Sequence, residues 1–230
     1  MIQEKKVLGI IPARGGSKRV LKKNIREISQ RPLISWTIDQ AKKSKFIDRV
    51  ILSSDDAETI AIARSLGCDV PFVRPADLSL DETPGVATVL HAIENLPEYE
   101  IIVLLQPTSP LRDVTDIDAC VERLSENSVH SCVSVTKIKH HLSWLFTLEK
   151  NSTLRSLSRR DGTFLNNAAP PVFTLNGAVY AAKVSWVSLN RTLVNEETVG
   201  VEMPLERSLD IDTEDDLRLF QLRVLEGEIN

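Results

Sequence analysis

The chain has 230 residues, of which 42% are apolar and 26% charged, as is usual for one soluble globular domain. Its net charge of -4 argues against nonspecific nucleic-acid binding, which requires a basic surface. The three cysteines are too widely spaced for a zinc site or a disulfide framework. No segment approaches the roughly 20 apolar residues of a membrane span. We therefore expect one cytoplasmic domain over residues 1–230, without a nucleic-acid or membrane partner.

Short apolar segments alternate with amphipathic ones along most of the chain. Buried strands are predicted at residues 7–11, 49–53, 100–105, 131–135 and 172–181. Helices are predicted at residues 33–44, 84–96 and 114–126, and from residues 55 and 213 onward. Asp55 and Glu58 have the spacing of a capping box. The alternation predicts an α/β fold, with a Rossmann-like, mostly parallel sheet and helices on both faces.

The pattern changes between about residues 137 and 171. Charged residues, Asn and Ser become more frequent there, the hydrophobic periodicity fades, and Pro170-Pro171 ends the segment. We predict an insertion of hairpins or loops that covers a site or a partner subunit.

A basic, glycine-rich loop follows the first predicted strand, and five Lys and Arg residues fall between positions 14 and 23. Gly15 and Gly16 could adopt positive φ and let backbone N–H groups approach an anion. The basic side chains could add charge-assisted hydrogen bonds to phosphate oxygens. The loop fits neither GxxxxGK[ST] nor GxGxxG, which disfavours a P-loop ATPase and a dinucleotide enzyme. A solvated basic loop is the alternative.

The run at residues 10–19, with Lys23-Asn24 after it, resembles the signature of the acylneuraminate cytidylyltransferases. That family includes CMP-sialic acid synthetases and their relatives for legionaminate and pseudaminate. The resemblance implies transfer of CMP from CTP to the anomeric hydroxyl of a nine-carbon ulosonic acid, with release of pyrophosphate. It also implies that the loop binds the nucleotide and that two of its side chains, Arg14 and Lys18, act in catalysis. The implied nucleotide-binding residues in the loop are Ala13, Arg14, Gly15, Gly16, Ser17, Lys18, Lys23 and Asn24.

Three further segments resemble the same family and imply contacts to the base and the sugar. Arg74 precedes a stretch that lies near the cytosine ring in the family. Gln106 emerges where a buried strand ends, and its amide suits sugar hydroxyls. Asn176 and Tyr180 belong to a strand that lies beside the acceptor sugar in the family. Relatives often have Arg where Thr174 stands, and Arg159 or Arg160 could supply that charge to the sugar carboxylate.

Asp210 and Asp212 belong to another segment that resembles the family. In a strand, residues i and i+2 point to the same face, so the two carboxylates could hold one divalent ion. Mg²⁺ prefers one or two carboxylates together with phosphate oxygens and water. We therefore predict Mg²⁺ as the cofactor and a catalytic role for Asp212. Asp212 or Thr213 could instead cap a helix.

Other functions use similar patterns. KDO cytidylyltransferases are similar in sequence, metal-dependent glycosyltransferases carry a DxD like that at residues 210–212, and a non-catalytic nucleotide-binding module would keep the basic loop. Members of the acylneuraminate cytidylyltransferase family are commonly homodimers that use the inserted segment for contact. The resemblance therefore implies a dimerisation insertion and a homodimer here.

Overall fold

The computed structural model describes residues 2–157 and 171–227. Its strands are β1 (Val7–Pro12), β2 (Glu27–Ile28), β3 (Arg31–Pro32), β4 (Arg49–Ser53), β5 (Ile101–Leu104), β6 (Ser131–Lys137), β7 (Phe146–Leu148), β8 (Leu154–Ser156), β9 (Phe173–Lys183) and β10 (Val199–Glu202). Its helices are α1 (Leu33–Lys43), α2 (Ala57–Ser65), α3 (Gly85–Asn95), α4 (Val114–Arg123), α5 (Val184–Asn190) and α6 (Glu214–Leu225).

Six strands form the central sheet in the order β10-β6-β9-β5-β1-β4. β9 runs antiparallel to β5 and β6, and the other neighbouring pairs are parallel. The predicted mostly parallel α/β sheet is therefore confirmed. Because β1, β4, β5 and β6 run in the same direction, their carboxyl ends meet at one edge, where such folds bind ligands.

Alternating side chains of the strands enter two hydrophobic clusters, one on each face of the sheet. On β1, Val7 and Ile11 pack with α1, α2 and α4, whereas Leu8 and Ile10 pack with α3 and α5. Helices therefore cover both faces, as predicted. Burial of this apolar area supplies most of the stabilisation.

A third cluster holds the chain segment between β10 and α6. Ile211 is fully buried and packs with Trp36, Leu111, Leu217 and Phe220. Trp36 and Phe220 meet edge to face, with ring centroids 5.2 Å apart. This packing fixes the backbone of residues 210–212 beside the sheet edge.

Two local predictions are wrong. The N-cap of α2 is Asp56, which accepts a hydrogen bond from the amide of Thr59, and not Asp55 with Glu58. Residues 210–212 do not form a strand; the Ile211 N–H instead donates to the carbonyl of Thr108 at 2.8 Å. The cap of α6 is Thr213, with a capping box to Asp216, so Asp212 does not have that role.

The described part of the predicted insertion contains the β7–β8 hairpin, whose strands are antiparallel. Residues 158–170, with Arg159 and Arg160, lie outside the described residues. Within the ranges that are described, each helix is too short or too polar to cross a bilayer.

Candidate active site

A pocket of about 560 Å³ opens at the carboxyl ends of β1 and β5. It brings together the basic loop after β1, the segment between α2 and α3, and the turn after β5. Seven of the predicted site residues line it, namely Arg14, Ser17, Lys18, Lys23, Asn24, Arg74 and Gln106.

The loop after β1 is fixed by backbone contacts. Ala13 is buried and donates its N–H to Ser53, at the end of β4, and Asn24 donates from its amide to the carbonyl of Arg14 at 3.0 Å. Neither Gly15 nor Gly16 has positive φ, so that expectation is wrong. Gly15 is needed for space, because a Cβ there would lie 2.8 Å from the Cβ of Asp56. The binding roles of Ala13, Gly15 and Gly16 stay predictions.

Carboxylates of this chain bind the donors that were predicted to bind phosphate. Asp81 forms ion pairs with both Arg14 and Lys18. Lys18 and then Arg14 hold the pKa of Asp81 below its ordinary value. The Gly15 N–H donates to Asp55 at 3.1 Å. The donors of the loop are thus paired with carboxylates of the chain itself.

Arg74 lies beneath the pocket and is almost fully buried. Its Nε donates to Ser79 at 3.0 Å, its Nη1 donates to Thr88 at 2.9 Å, and its Nη2 lies 3.7 Å from Asp55. Burial lowers the pKa of Arg74, and Asp55 opposes that shift. Nη2 is itself buried and has no hydrogen-bond acceptor among the described residues, so its ion pair with Asp55 is its main polar contact.

Gln106 follows β5 and lies directly against β9. The Gly177 Cα approaches it so closely that a Cβ would lie 3.1 Å from Gln106 Oε1, and Gly177 has a positive φ of 74°. Any side chain at position 177 would therefore strain the backbone and displace the Gln106 amide.

Asn176 lies beneath this contact rather than in the pocket lining. The side-chain Nδ2 of Asn176 donates to Ser208 and Met203, and its side-chain Oδ1 accepts from Ser134 and Ala178. The structure thus gives Asn176 a supporting position, and direct sugar binding by it stays a prediction. Tyr180, on the same strand, is half-buried. Burial and the nearby Asp210 raise the pKa of Tyr180.

Asp210 and Asp212 flank the buried Ile211 and do not line the pocket, although Asp212 contacts its lining residues Lys23 and Arg19. Asp212 accepts from Lys23 at 3.3 Å and forms an ion pair with Arg19 at 3.2 Å. Asp210 is an exposed residue, yet partial burial of its carboxyl group raises the pKa of Asp210. The negative charge of Asp212 raises this pKa further. The two carboxylates therefore repel one another beside two cationic side chains.

Three residues of the site escaped the sequence prediction. Arg19 was noticed only as part of the basic loop, although it lines the pocket and pairs with Asp212. Thr88 has a detectable signal, because it is a polar residue on the buried face of α3. Asp81 contacts residues 67 and 63 positions away, which no local pattern reveals.

The family model described as "Cytidylyltransferase" matches residues 8–207. The chain therefore belongs to the cytidylyltransferase family.

Two curated relatives are of similar sequence. An N-acylneuraminate cytidylyltransferase from Escherichia coli is 33% identical over 93% of this chain and 51% of its own length, so the chain spans about half of that relative. A CMP-N,N'-diacetyllegionaminic acid synthase from Legionella pneumophila is 30% identical over 94% of this chain and 95% of its own length.

A solved structure of a CMP:2-keto-3-deoxy-manno-octonic acid synthetase complexed with CTP has the same fold. The TM-score is 0.76 at 14% identity, and the match covers 97% of this chain and 100% of that one. At this identity the likeness shows the fold alone.

Proposed function

We propose that this protein transfers CMP from CTP to the anomeric hydroxyl of a sialic-acid-like nonulosonic acid and releases pyrophosphate. The observation that carries the proposal is one pocket lined by Arg14, Lys18, Lys23 and Gln106, with Asp212 bound to Lys23 beside it. Family membership supports the CTP half, and the names of the two curated relatives support the acid.

The triphosphate would replace the internal carboxylates of the basic loop. Arg14, Lys18 and Lys23 would neutralise charge on the phosphates, and preorganised charge of this kind is a large part of catalysis in phosphoryl transfer. Arg74, which lines the pocket, would bind the base.

The acceptor would lie on the opposite side of the pocket. Gln106 and Tyr180 would orient it so that the anomeric oxygen attacks the α-phosphorus. A bond forms between these atoms, the bond from the α-phosphorus to the bridging oxygen breaks, pyrophosphate leaves, and the hydroxyl proton passes to water. Because the reactants meet in one site, orientation supplies much of the rate.

We further propose that Asp210 and Asp212 hold Mg²⁺, and their chemistry fits this ion. No group of three or more His, Cys, Asp or Glu side chains suited to a metal occurs in the described part of the chain. Mg²⁺ needs only one or two carboxylates when phosphates and water complete its shell. When bound, it would neutralise phosphate charge and relieve the repulsion by Asp212, which adds to the effect of burial in raising the pKa of Asp210.

The proposal is tested by incubating the protein with CTP, Mg²⁺ and sialic, legionaminic, pseudaminic or KDO acid. We expect pyrophosphate and a CMP-sugar with one of the nine-carbon acids. Product with KDO alone would assign the eight-carbon acid instead. CTP binding without pyrophosphate from any acid would indicate a non-catalytic nucleotide-binding module. Consumption of a nucleotide-sugar would indicate a glycosyltransferase.

Asp81→Asn is expected to tighten CTP binding, because it removes the carboxylate that competes for Arg14 and Lys18. Partly exposed ion pairs contribute at most about 1 kcal/mol, so the dissociation constant should fall up to about fivefold. Calorimetric titration of CTP measures this. Asp77→Asn, in the same exposed segment, is the matched control. Weaker binding in Asp81→Asn would mean that Asp81 positions the two cations.

We also propose a homodimer in which a second copy covers the β7–β8 hairpin. The hairpin region exposes several large apolar side chains, among them Trp144, Leu148 and Leu154, at 73, 70 and 67%. An isolated two-stranded hairpin is marginal in water, and exposed apolar patches mark contact sites. Two-fold pairing of identical surfaces is the commonest way to bury them.

The double variant Leu148→Lys with Leu154→Glu should convert the dimer to a monomer in light scattering. The two residues are directly opposite in the hairpin, so the opposite charges preserve the strand pairing while removing the apolar surface. Leu189→Lys, an exposed leucine on α5, is the control. A dimer that persists in the double variant would contradict the proposed surface.

A further inference from the structure

Arg112 is the largest side chain among the fully buried ones, with 2% of the residue exposed. Burial lowers the pKa of Arg112 to about 9. In the described part of the chain no carboxylate forms an ion pair with it, because the nearby Asp116 is engaged by both Nε and Nη2 of Arg207. Burying a charge without an ionic partner costs desolvation free energy. Stability alone therefore does not account for an arginine at position 112.

The hydrogen bonds of Arg112 connect two segments on the side of the pocket that is proposed for the acceptor sugar. Nη1 donates to the carbonyls of Gln106, Ser109 and Ala178, at 3.2, 3.1 and 3.2 Å. The first two belong to the turn after β5, and Ala178 belongs to β9. One guanidinium therefore fastens the turn that carries Gln106 to the strand that carries Tyr180.

The same turn contacts the aspartate segment, because the carbonyl of Thr108 accepts from Ile211, between Asp210 and Asp212. Ile211 also packs with Trp36 of α1 and with Leu217 and Phe220 of α6, and this packing holds the two carboxylates without Arg112. A Cβ at Gly177 would lie 3.1 Å from Gln106 Oε1, so the turn and β9 are in close contact there. A shift of the turn relative to β9 would thus move Gln106 relative to Tyr180. The basic loop that faces the triphosphate depends instead on Asn24 and on the end of β4.

We propose that Arg112 is a positioning residue for the acceptor half of the site. It holds the turn of residues 106–112 against β9, and it leaves the nucleotide half unaffected. The inference rests on the proposed function, because that function assigns Gln106 and Tyr180 to the acceptor.

The test compares Arg112→Met with wild type. Met keeps the length and removes the buried charge, so the thermal midpoint should change little. We expect the KM for the acceptor to rise about tenfold, because even a small displacement of the groups that orient a substrate has a large kinetic effect. The KM for CTP should stay within about twofold. Arg123→Met, at the exposed end of α4, is the control and should match wild type in both constants.

Hydrogen exchange gives a readout that does not need turnover. In Arg112→Met the amides of residues 106–112 and 176–180 should exchange faster, while those of α2 do not change. If wild type makes no CMP-sugar, the proposed function fails, and exchange alone decides the role of Arg112. Unchanged exchange in both segments would then overturn it.

Kinetics overturn the inference if folded Arg112→Met keeps the wild-type KM for the acceptor, or if both KM values rise in parallel. Where the Met variant does not fold, Arg112→Lys replaces it. That variant keeps the charge but loses the planar donor fork. It should raise the KM for the acceptor by a smaller factor, and an unchanged value would again overturn the role.

Discussion

Asp212→Asn is expected to lower the turnover number for CMP-sugar formation by about 100-fold or more, with little change in thermal midpoint. The substitution keeps the size of the side chain, which is 43% exposed, so packing is hardly affected. It removes one of the two carboxylates proposed for Mg²⁺ and the common partner of Arg19 and Lys23. Turnover at saturating CTP and acceptor, with Mg²⁺ present, measures the effect.

Asp215→Asn is the matched control for this variant. Asp215 lies three residues along the chain, is largely exposed, and pairs only with the exposed Arg218 among the ion pairs of the described residues. It should keep wild-type turnover. Wild-type turnover in Asp212→Asn itself would remove Asp212 from both the metal site and catalysis.

Lys18→Met should raise the KM for CTP about tenfold. A charge-assisted hydrogen bond contributes about 1.5–3 kcal/mol, and the exposure of Lys18 places it at the lower end of that range. The KM for the acceptor should hardly change, because Lys18 lies on the nucleotide side of the pocket.

Lys22→Met separates this effect from a general loss of positive charge. Lys22 belongs to the same loop but pairs with Glu58, outside the lining of the main pocket. The two variants have equal net charge, so a difference between them reports position. Equal KM values for CTP in the two variants would contradict a specific role for Lys18.

The fold could be predicted from the sequence because its signals are local. The strand at residues 49–53 appears at its predicted bounds, and β1 ends one residue later than predicted, at Pro12. Prediction failed where two neighbouring residues suit the same role. Asp55 and Asp56 are both suitable N-caps for α2. In the structure Asp56 is the cap, and Asp55 accepts a hydrogen bond from the N–H of Gly15 instead.

Seven of the predicted site residues line one pocket, but their contacts with the rest of the chain could not be predicted. Gln106 and Arg74 line the pocket as the family resemblance implies. The period-2 argument for Asp210 and Asp212 assumed a strand. The segment is irregular, and the burial of Ile211 is what places a carboxylate on either side. The pairing of Asp81 with the basic loop and the anchoring by Arg112 both depend on tertiary contacts, so the sequence alone could not show them.

In the proposed reaction a sugar hydroxyl attacks the α-phosphorus of CTP. An acceptor labelled with ¹⁸O at the anomeric hydroxyl tests this step. We expect the label to be retained in the oxygen that joins the sugar to phosphorus in the CMP-sugar, with one pyrophosphate released for each product molecule. A CMP-sugar that has lost the label, or CTP consumed without pyrophosphate, would contradict it.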